Sequence, residues 1–291
     1  MCAKRLCAAT ALASLLALAV AAPAMAWPFG GKSDKPAAAA KAGPAKGATA
    51  TAKGAPAKAA AAAAPSAPAP RKADPAQRAA AERLDPLAAA AFWAREVQVD
   101  PTDIEAELKL SAMLRQIGRT EEAAQAAQRV VVMAPKNIDG LLELARARIA
   151  DGQGFYAIES LKQAQALKHR DWRPATLLGI ALEQSQRPDD AKAAHDLALS
   201  LDPNNPAVLS NAALFKAGQG DRAGAETMLR KAVALPNATA RERQNLALVL
   251  GLQGKMAEAE KLMRQDLPPP IADANLAYLK TGAVPAPQAR R

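Results

Sequence analysis

The run Leu201-Asp202-Pro203-Asn204-Asn205 closes one helical pattern and opens the next, and the chain returns to the same punctuation at a fixed interval. Proline lacks the amide N–H that a helix interior needs, so Pro203 ends the helix before it. With Pro203 and Pro135 both placed at position 32 of a 34-residue unit, units begin at Ile104, Ile138, Trp172, Pro206 and Ala240. Position 15 then reads Gly118, Gly152, Gln186, Gly220 and Gly254. Position 20 reads Ala123, Ala157, Ala191, Ala225 and Ala259, and position 8 reads Ser111, Ala145, Gly179, Ala213 and Ala247. Position 7 is Leu110, Leu144, Leu178, Ala212 and Leu246.

Each column has a physical cause. Small residues at positions 8 and 20 let two antiparallel helices approach closely, and leucine at 7 fills the groove between neighbours. Glycine at 15 takes the left-handed backbone that ends a first helix. The pattern resembles the tetratricopeptide repeat family, which also carries alanine at position 27; here that column holds Val130, Ala164, Ala198, Ala232 and Asp266. Position 32 departs from proline at His169, and the fourth unit ends one residue early at Pro236. The fold expected is all-α: a tetratricopeptide-repeat solenoid of helix-turn-helix units with capping helices.

The units are expected near 104–137, 138–171, 172–205, 206–239 and 240–268, inside a repeat domain over 84–282. A partial unit over 84–103 supplies one amphipathic helix, Leu84 to Val99, with Trp93 at position 24. A short helix over 271–280 packs Leu276 and Leu279 on the last unit as a cap. Isolated repeats cannot bury their apolar faces, so both ends need covering.

Residues 1–26 read as a signal peptide. Lys4 and Arg5 precede the apolar run Leu6 to Ala22, Pro23 breaks it, and Ala24-Met25-Ala26 offers small residues for cleavage before Trp27. Both cysteines, Cys2 and Cys7, fall within that segment, so the mature chain carries no thiol chemistry. Residues 27–83 are an Ala/Lys/Pro-rich basic linker with too little apolar surface to repay ordering, and 283–291 form a disordered tail. The net charge of +10 is concentrated there: residues 27–73 hold eight Lys and Arg against Asp34 alone, while residues from Asp74 onward are nearly balanced. That distribution argues against nucleic acid as a partner. It leaves a weak contact of the basic linker with an anionic envelope surface. The location expected is the periplasm, with association at the outer membrane.

No catalytic constellation emerges. His169 and His195 are the two histidines, and neither has a second ligand at metal-binding spacing, so both read as structural. Ala26-Trp27-Pro28-Phe29-Gly30-Gly31-Lys32-Ser33 mimics the end of a phosphate loop, but its first glycine is missing and no strand precedes it. Acid–base pairs such as Glu121 with Arg119 fit solvated helix faces. The chain is read as a non-enzyme with no cofactor and no metal.

What remains is the concave face. In stacked helix pairs, positions 2, 5, 6, 9, 12 and 13 of the first helix point into a groove. Their occupants include Arg146, Arg173, Thr176, Asn211, Arg241, Gln244 and Asn245. Asn211 and Asn245 share position 6 of adjacent units. An asparagine offers a donor and an acceptor, so it can pair with the backbone of an extended peptide without reading its sequence. Members of the family use an asparagine in this column in that way, which the resemblance implies here. Arg173 and Arg241 are placed to grip acidic groups or a carboxyl terminus.

Three stretches carry a narrower likeness. They are Asp85-Pro86-Leu87 leading to Ala91-Phe92-Trp93-Ala94-Arg95-Glu96, then Arg243-Gln244-Asn245-Leu246-Ala247-Leu248-Val249-Leu250-Gly251-Leu252-Gln253-Gly254, then Asp266-Leu267-Pro268-Pro269 with Ala274-Asn275-Leu276-Ala277-Tyr278-Leu279. Over Leu84 to Lys280 the chain is similar to the TadD-like tetratricopeptide proteins of the Tad (Flp) pilus assembly system. The resemblance implies a periplasmic scaffold that binds a protein or peptide of the secretion machine and helps its secretin assemble or localise. Members are commonly lipoproteins. This sequence departs there, having no lipidation cysteine, and the basic linker is a candidate substitute for the anchor. A general periplasmic adaptor or chaperone for other envelope or cell-wall proteins is the rival reading, and an enzyme accessory is a third.

Overall fold

The first helices of the repeat begin where a side chain can accept from their free amides. Asp103, Asn137, Asp171, Asn205 and Thr239 cap the helices that follow them, each accepting from a first-turn N–H. Four backbone amides are left over at any helix start, and such caps satisfy one or two of them. The structure, a computed structural model, describes residues 71–281. The signal peptide, the linker as far as residue 70 and the C-terminal tail lie outside the described residues.

Thirteen helices occupy the described residues. They are α1 (Pro75–Ala81), α2 (Pro86–Val99), α3 (Ile104–Gln116), α4 (Thr120–Met133), α5 (Ile138–Ala150), α6 (Gly154–Leu167) and α7 (Trp172–Gln184). The rest are α8 (Pro188–Leu201), α9 (Pro206–Gly218), α10 (Arg222–Val233), α11 (Ala240–Leu252), α12 (Met256–Asp266) and α13 (Pro269–Thr281). No strand occurs among the described residues.

The turn column behaves as its chemistry requires. Gly118, Gly152, Gly220 and Gly254 all take positive φ, between 74° and 94°, and Gln186 takes 57° in the same place. Only glycine enters that region without cost, so Gln186 is the one strained position in the series. The small columns meet in the core: Ala123, Ala157, Ala191, Ala225 and Ala259 are fully buried, and so are Ser111, Ala145, Ala213 and Ala247. Ser111 settles its hydroxyl by donating to the Ala123 carbonyl at 2.7 Å, which joins position 8 to position 20. Gly179 is needed for a different reason. A Cβ there would lie 2.6 Å from the His195 ring, which fills the space between α7 and α8.

The stacking sets the sides of the molecule. Each first helix touches the next first helix: α3 meets α5, α5 meets α7, α7 meets α9 and α9 meets α11. Among the described residues no second helix contacts the next in the same way. First helices therefore lie closer together and line the inner side of the stack.

The N-terminal boundary needs correction. Residues up to 83 were expected to be linker, yet α1 forms inside that stretch. Asp74 caps it with a reciprocal box, accepting from the Gln77 N–H at 2.8 Å while Gln77 Oε1 accepts from the Asp74 N–H at 3.0 Å. Arg78 anchors it, donating to fully buried Glu96 (2.7 Å) and to Asp103 (2.6 Å) and lying over the Trp93 ring. The Ala73 N–H also donates to Glu96, and Lys72 pairs with Asp100 and Asp103. With Ala89 at position 20 and Trp93 at 24, α1 and α2 form a sixth, shortened unit rather than a single lead-in helix.

At the other end α13 covers α11 and α12. Ala272 and Leu276 are buried against Ala247, Met263 and Leu267. A Cβ on Gly251 would meet Leu279 at 2.4 Å, so the cap seats on that glycine. Asp266, where the repeat wants alanine, is neutralised by Arg243 through two bonds of 2.6 and 2.8 Å.

Candidate functional site

The groove positions divide into two groups. Toward the N-terminal half they satisfy one another across units. Arg115 Nε donates to Glu143 at 2.8 Å, and Arg146 reaches the same carboxylate at 3.3 Å. Arg173 donates three times to Asp171, the shortest bond being 2.6 Å, and once to Asp139 of the preceding unit at 3.0 Å. The Asp171 carboxylate, with Asp139 beside it, holds the Arg173 guanidinium above its usual range. Thr176 is buried and donates to its own helix at the Trp172 carbonyl. Arg146, Arg173 and Thr176, expected to face a ligand, also make bonds within the fold, Arg146 through Nη1 alone.

The C-terminal half differs. Asn211 on α9 and Arg241 and Asn245 on α11 sit close together at one junction of first helices. Arg241 Nη2 donates to Asn211 Oδ1 at 3.2 Å. Asn245 Nδ2 donates to Ser210 Oγ at 2.8 Å. Both asparagines are more than nine-tenths buried, yet each has amide capacity beyond its single bond. Gln244, half-buried beside them, makes no hydrogen bond to the described residues.

Arg241 is the unusual member. Its Nε is buried and has no partner, and no carboxylate among the described residues pairs with its guanidinium. Arg173 and Arg243, two and four positions into their own first helices, both face carboxylates. Burial pushes the Arg241 guanidinium below the usual arginine range, and the charge of Glu242 opposes that only in part. Glu242 is engaged at the helix start, where its Oε2 accepts from the Thr239 N–H and hydroxyl. A desolvated cation without an acid is costly within a fold and well prepared for an incoming anion.

The two histidines occupy structural positions. His195 is buried, its Nε2 lies 2.7 Å from Glu183 Oε1, and its ring stands against Phe215. His169 is exposed and its carbonyl accepts from Gln165. No group of three His, Cys, Asp or Glu side chains among the described residues is arranged to hold a metal ion. On the outer surface Arg119 pairs with Glu122, whereas Glu121 pairs with Arg148 of the next unit at 3.2 Å, which corrects the pairing expected between Arg119 and Glu121. No helix among the described residues is long and apolar enough to cross a membrane.

No family model matches the chain. A curated relative, cellulose synthase operon protein C of Pseudomonas fluorescens, is 32% identical over 152 residues. That alignment covers 48% of this chain and 12% of the relative, so the chain spans a small part of the longer protein's length. Among solved structures, a thermophilic TPR protein of Thermus thermophilus superposes with a TM-score of 0.52 at 22% identity, over 60% of this chain and 94% of that one. MamA of Desulfovibrio magneticus, from its residue 41 onward, gives 0.46 at 19% identity over 55% of this chain and 89% of that one. The chain has the all-α tetratricopeptide-repeat solenoid fold.

Proposed function

We propose that this chain is a non-enzymatic, periplasmic protein-binding scaffold of Tad (Flp) pilus assembly and secretion, assisting the secretin or another component of that machine. Its groove between α9 and α11 takes an extended segment of the partner. The observation that carries this reading is Arg241: a half-buried arginine whose Nε is buried without a partner, beside Asn211, Gln244 and Asn245, and without a carboxylate of its own. Arginine binds carboxylates through two parallel bonds, and the neighbouring amides supply backbone-matching donors and acceptors. An acidic side chain or a carboxyl terminus of the partner completes the site. The pilus assignment rests on the likeness of the three stretches from Asp85, Arg243 and Asp266 to TadD-like proteins. Export and periplasmic location rest on residues 1–26, and contact with an anionic envelope surface rests on the basic linker.

The test is identification of what the protein holds in its own cell. A tagged full chain, crosslinked mildly in the intact envelope and purified, should carry secretin or another pilus secretion component. Recovery of an unrelated envelope assembly in their place would overturn the pilus assignment.

A second reading has one observation in its favour. The curated relative takes its name from a cellulose synthase operon, so the same groove could serve as an adaptor or chaperone for a different envelope or cell-wall assembly. Genes for a secretin and a secretion ATPase beside this one favour the pilus. Polysaccharide synthase genes favour the second reading.

A further inference from the structure

The outer surface of the stack carries a feature that the groove does not use. Phe155 and Tyr156, in the first turn of α6, are each 68% exposed and meet edge to face with ring centroids 5.6 Å apart. The residues that follow turn inward: Ala157, Ile158 and Leu161 are buried in the core. The turn beneath the rings is tightly seated. A Cβ on Gly154 would lie 2.7 Å from the Ala181 carbonyl oxygen and equally close to Gln184. Gln153, just before it, accepts from Arg148 at 2.9 Å. The two rings therefore stand on a rigid base while most of their surface faces water.

Positions 18 and 19 in the adjoining units are both acidic. They hold Glu121 and Glu122 at the start of α4 and Asp189 and Asp190 at the start of α8, all exposed. Along the stack the ridge reads acid pair, aromatic pair, acid pair. Glu122 and Asp190 face Arg119 and Arg187 of their own helix starts, and Glu121 faces Arg148. Asp189 has no ion-pair partner among the described residues. Exposed ion pairs of this kind are weak and open to exchange with a competing cation.

We propose that this ridge is a second docking surface, separate from the groove, for a partner segment that carries lysine or arginine beside apolar side chains. The apolar groups cover the faces of Phe155 and Tyr156. The cationic groups reach the flanking carboxylates and the electron-rich ring faces. Three of the four carboxylates already face an arginine, so the preference for a cationic over an acidic segment rests on unpaired Asp189 and on exchange of those exposed pairs, opposite in sign to the groove at Arg241. A scaffold with two such surfaces can hold two partners, or two parts of one, at the same time.

The experiment is a solution NMR titration of the full chain, read at the ring signals of Tyr156 with Tyr278 as the internal reference. The probe is an end-blocked peptide of alternating lysine and leucine, and its control is the glutamate–leucine counterpart. Saturable movement of Tyr156 with the lysine peptide, and about tenfold weaker binding of the glutamate peptide, is the expected result; raising the salt several-fold should weaken the former. Phe155→Ala should abolish the effect while the backbone spectrum is otherwise retained. Asp189→Asn with Glu122→Gln, which leaves the rings intact, should lower the affinity for the lysine peptide about tenfold. The proposal fails if Tyr156 does not move, or if both peptides bind equally. It also fails if Tyr156 shifts with protein concentration alone, since the ridge would then be a contact between copies of this chain.

Discussion

Asn245 donates its side-chain amide to Ser210 Oγ across 2.8 Å, and that buried bond ties the first helices of two consecutive units. Asn211, one residue beyond Ser210, joins the same two helices more weakly: its carbonyl oxygen accepts from Arg241 at 3.2 Å. Two asparagines in equivalent columns thus do different things. Asn245→Ala should cost about 1–3 kcal/mol, because Ser210 loses its partner in a buried setting. Asn211→Ala should cost less. Urea unfolding of both variants measures the difference, and equal losses would contradict it.

Gly179 supports the close approach of α7 and α8. Any side chain there enters the volume of the His195 ring, which is itself fixed by Glu183 and Phe215. Gly179→Leu should lower stability by at least about 1–3 kcal/mol, the usual cost of overpacking. A melting temperature matching the wild type would mean that the register of the repeat is wrong.

The N-terminal clasp predicts a local response to acid. Burial alone would raise the Asp103 carboxyl, but hydrogen bonds from Arg78 and Lys72 and from the Ala106 N–H outweigh it and hold the group well below its usual range. The Lys72 ammonium and Thr102 lower Asp100 to about 2. A carboxyl depressed in the folded state stabilises above its unfolded value and loses that contribution as pH falls through the folded one. The clasp should therefore be unchanged above about pH 5 and weaken from about pH 4 down to 2 and below. Hydrogen exchange across residues 75–81 should speed up in that window before the central units respond. Simultaneous loss of protection in α1 and α7 would contradict a local clasp.

Arg78→Ala tests the same clasp at neutral pH. It leaves buried Glu96 with only the Ala73 N–H, and a buried charge stripped of its partner costs about 3–5 kcal/mol. The chain can avoid that cost by releasing α1, which returns Glu96 to water. The expected outcome is a large loss of amide protection within 75–81 and a small change in overall melting. A global destabilisation of the full amount would show that α1 is integral to the stack.

The sequence carried most of this fold because each repeat column answers to a local constraint. Position 15 demands a left-handed residue, and positions 8 and 20 demand a small one; all are visible without knowing the stacking. The α1 helix was missed because its surroundings share the Ala-rich composition of the linker. Its signal was the capping box from Asp74 to Gln77 beside Pro75, which composition obscured. The groove was harder to read. Arg115 with Glu143 and Arg173 with Asp139 are 28 and 34 residues apart, so their pairing follows only when the units are laid one on another. Only the Arg173–Asp139 spacing equals the repeat length.

Arg241 gives the fold one 3.2 Å bond, to Asn211, and its main role in this account is to receive a partner's acidic group. Removing a half-buried side chain whose buried Nε lacks a partner offsets the loss of its one long bond to Asn211, so stability should change little or rise, whereas the binding that needs it should fall. The direct measurement compares full-chain wild type with Arg241→Gln for thermal stability and for affinity toward the envelope protein captured by the wild type. The account predicts a melting temperature at or above that of wild type together with a loss of affinity of about tenfold or more, as expected for one charge-assisted pair. Retained affinity at equal stability would contradict it and move the binding site away from the α9–α11 groove.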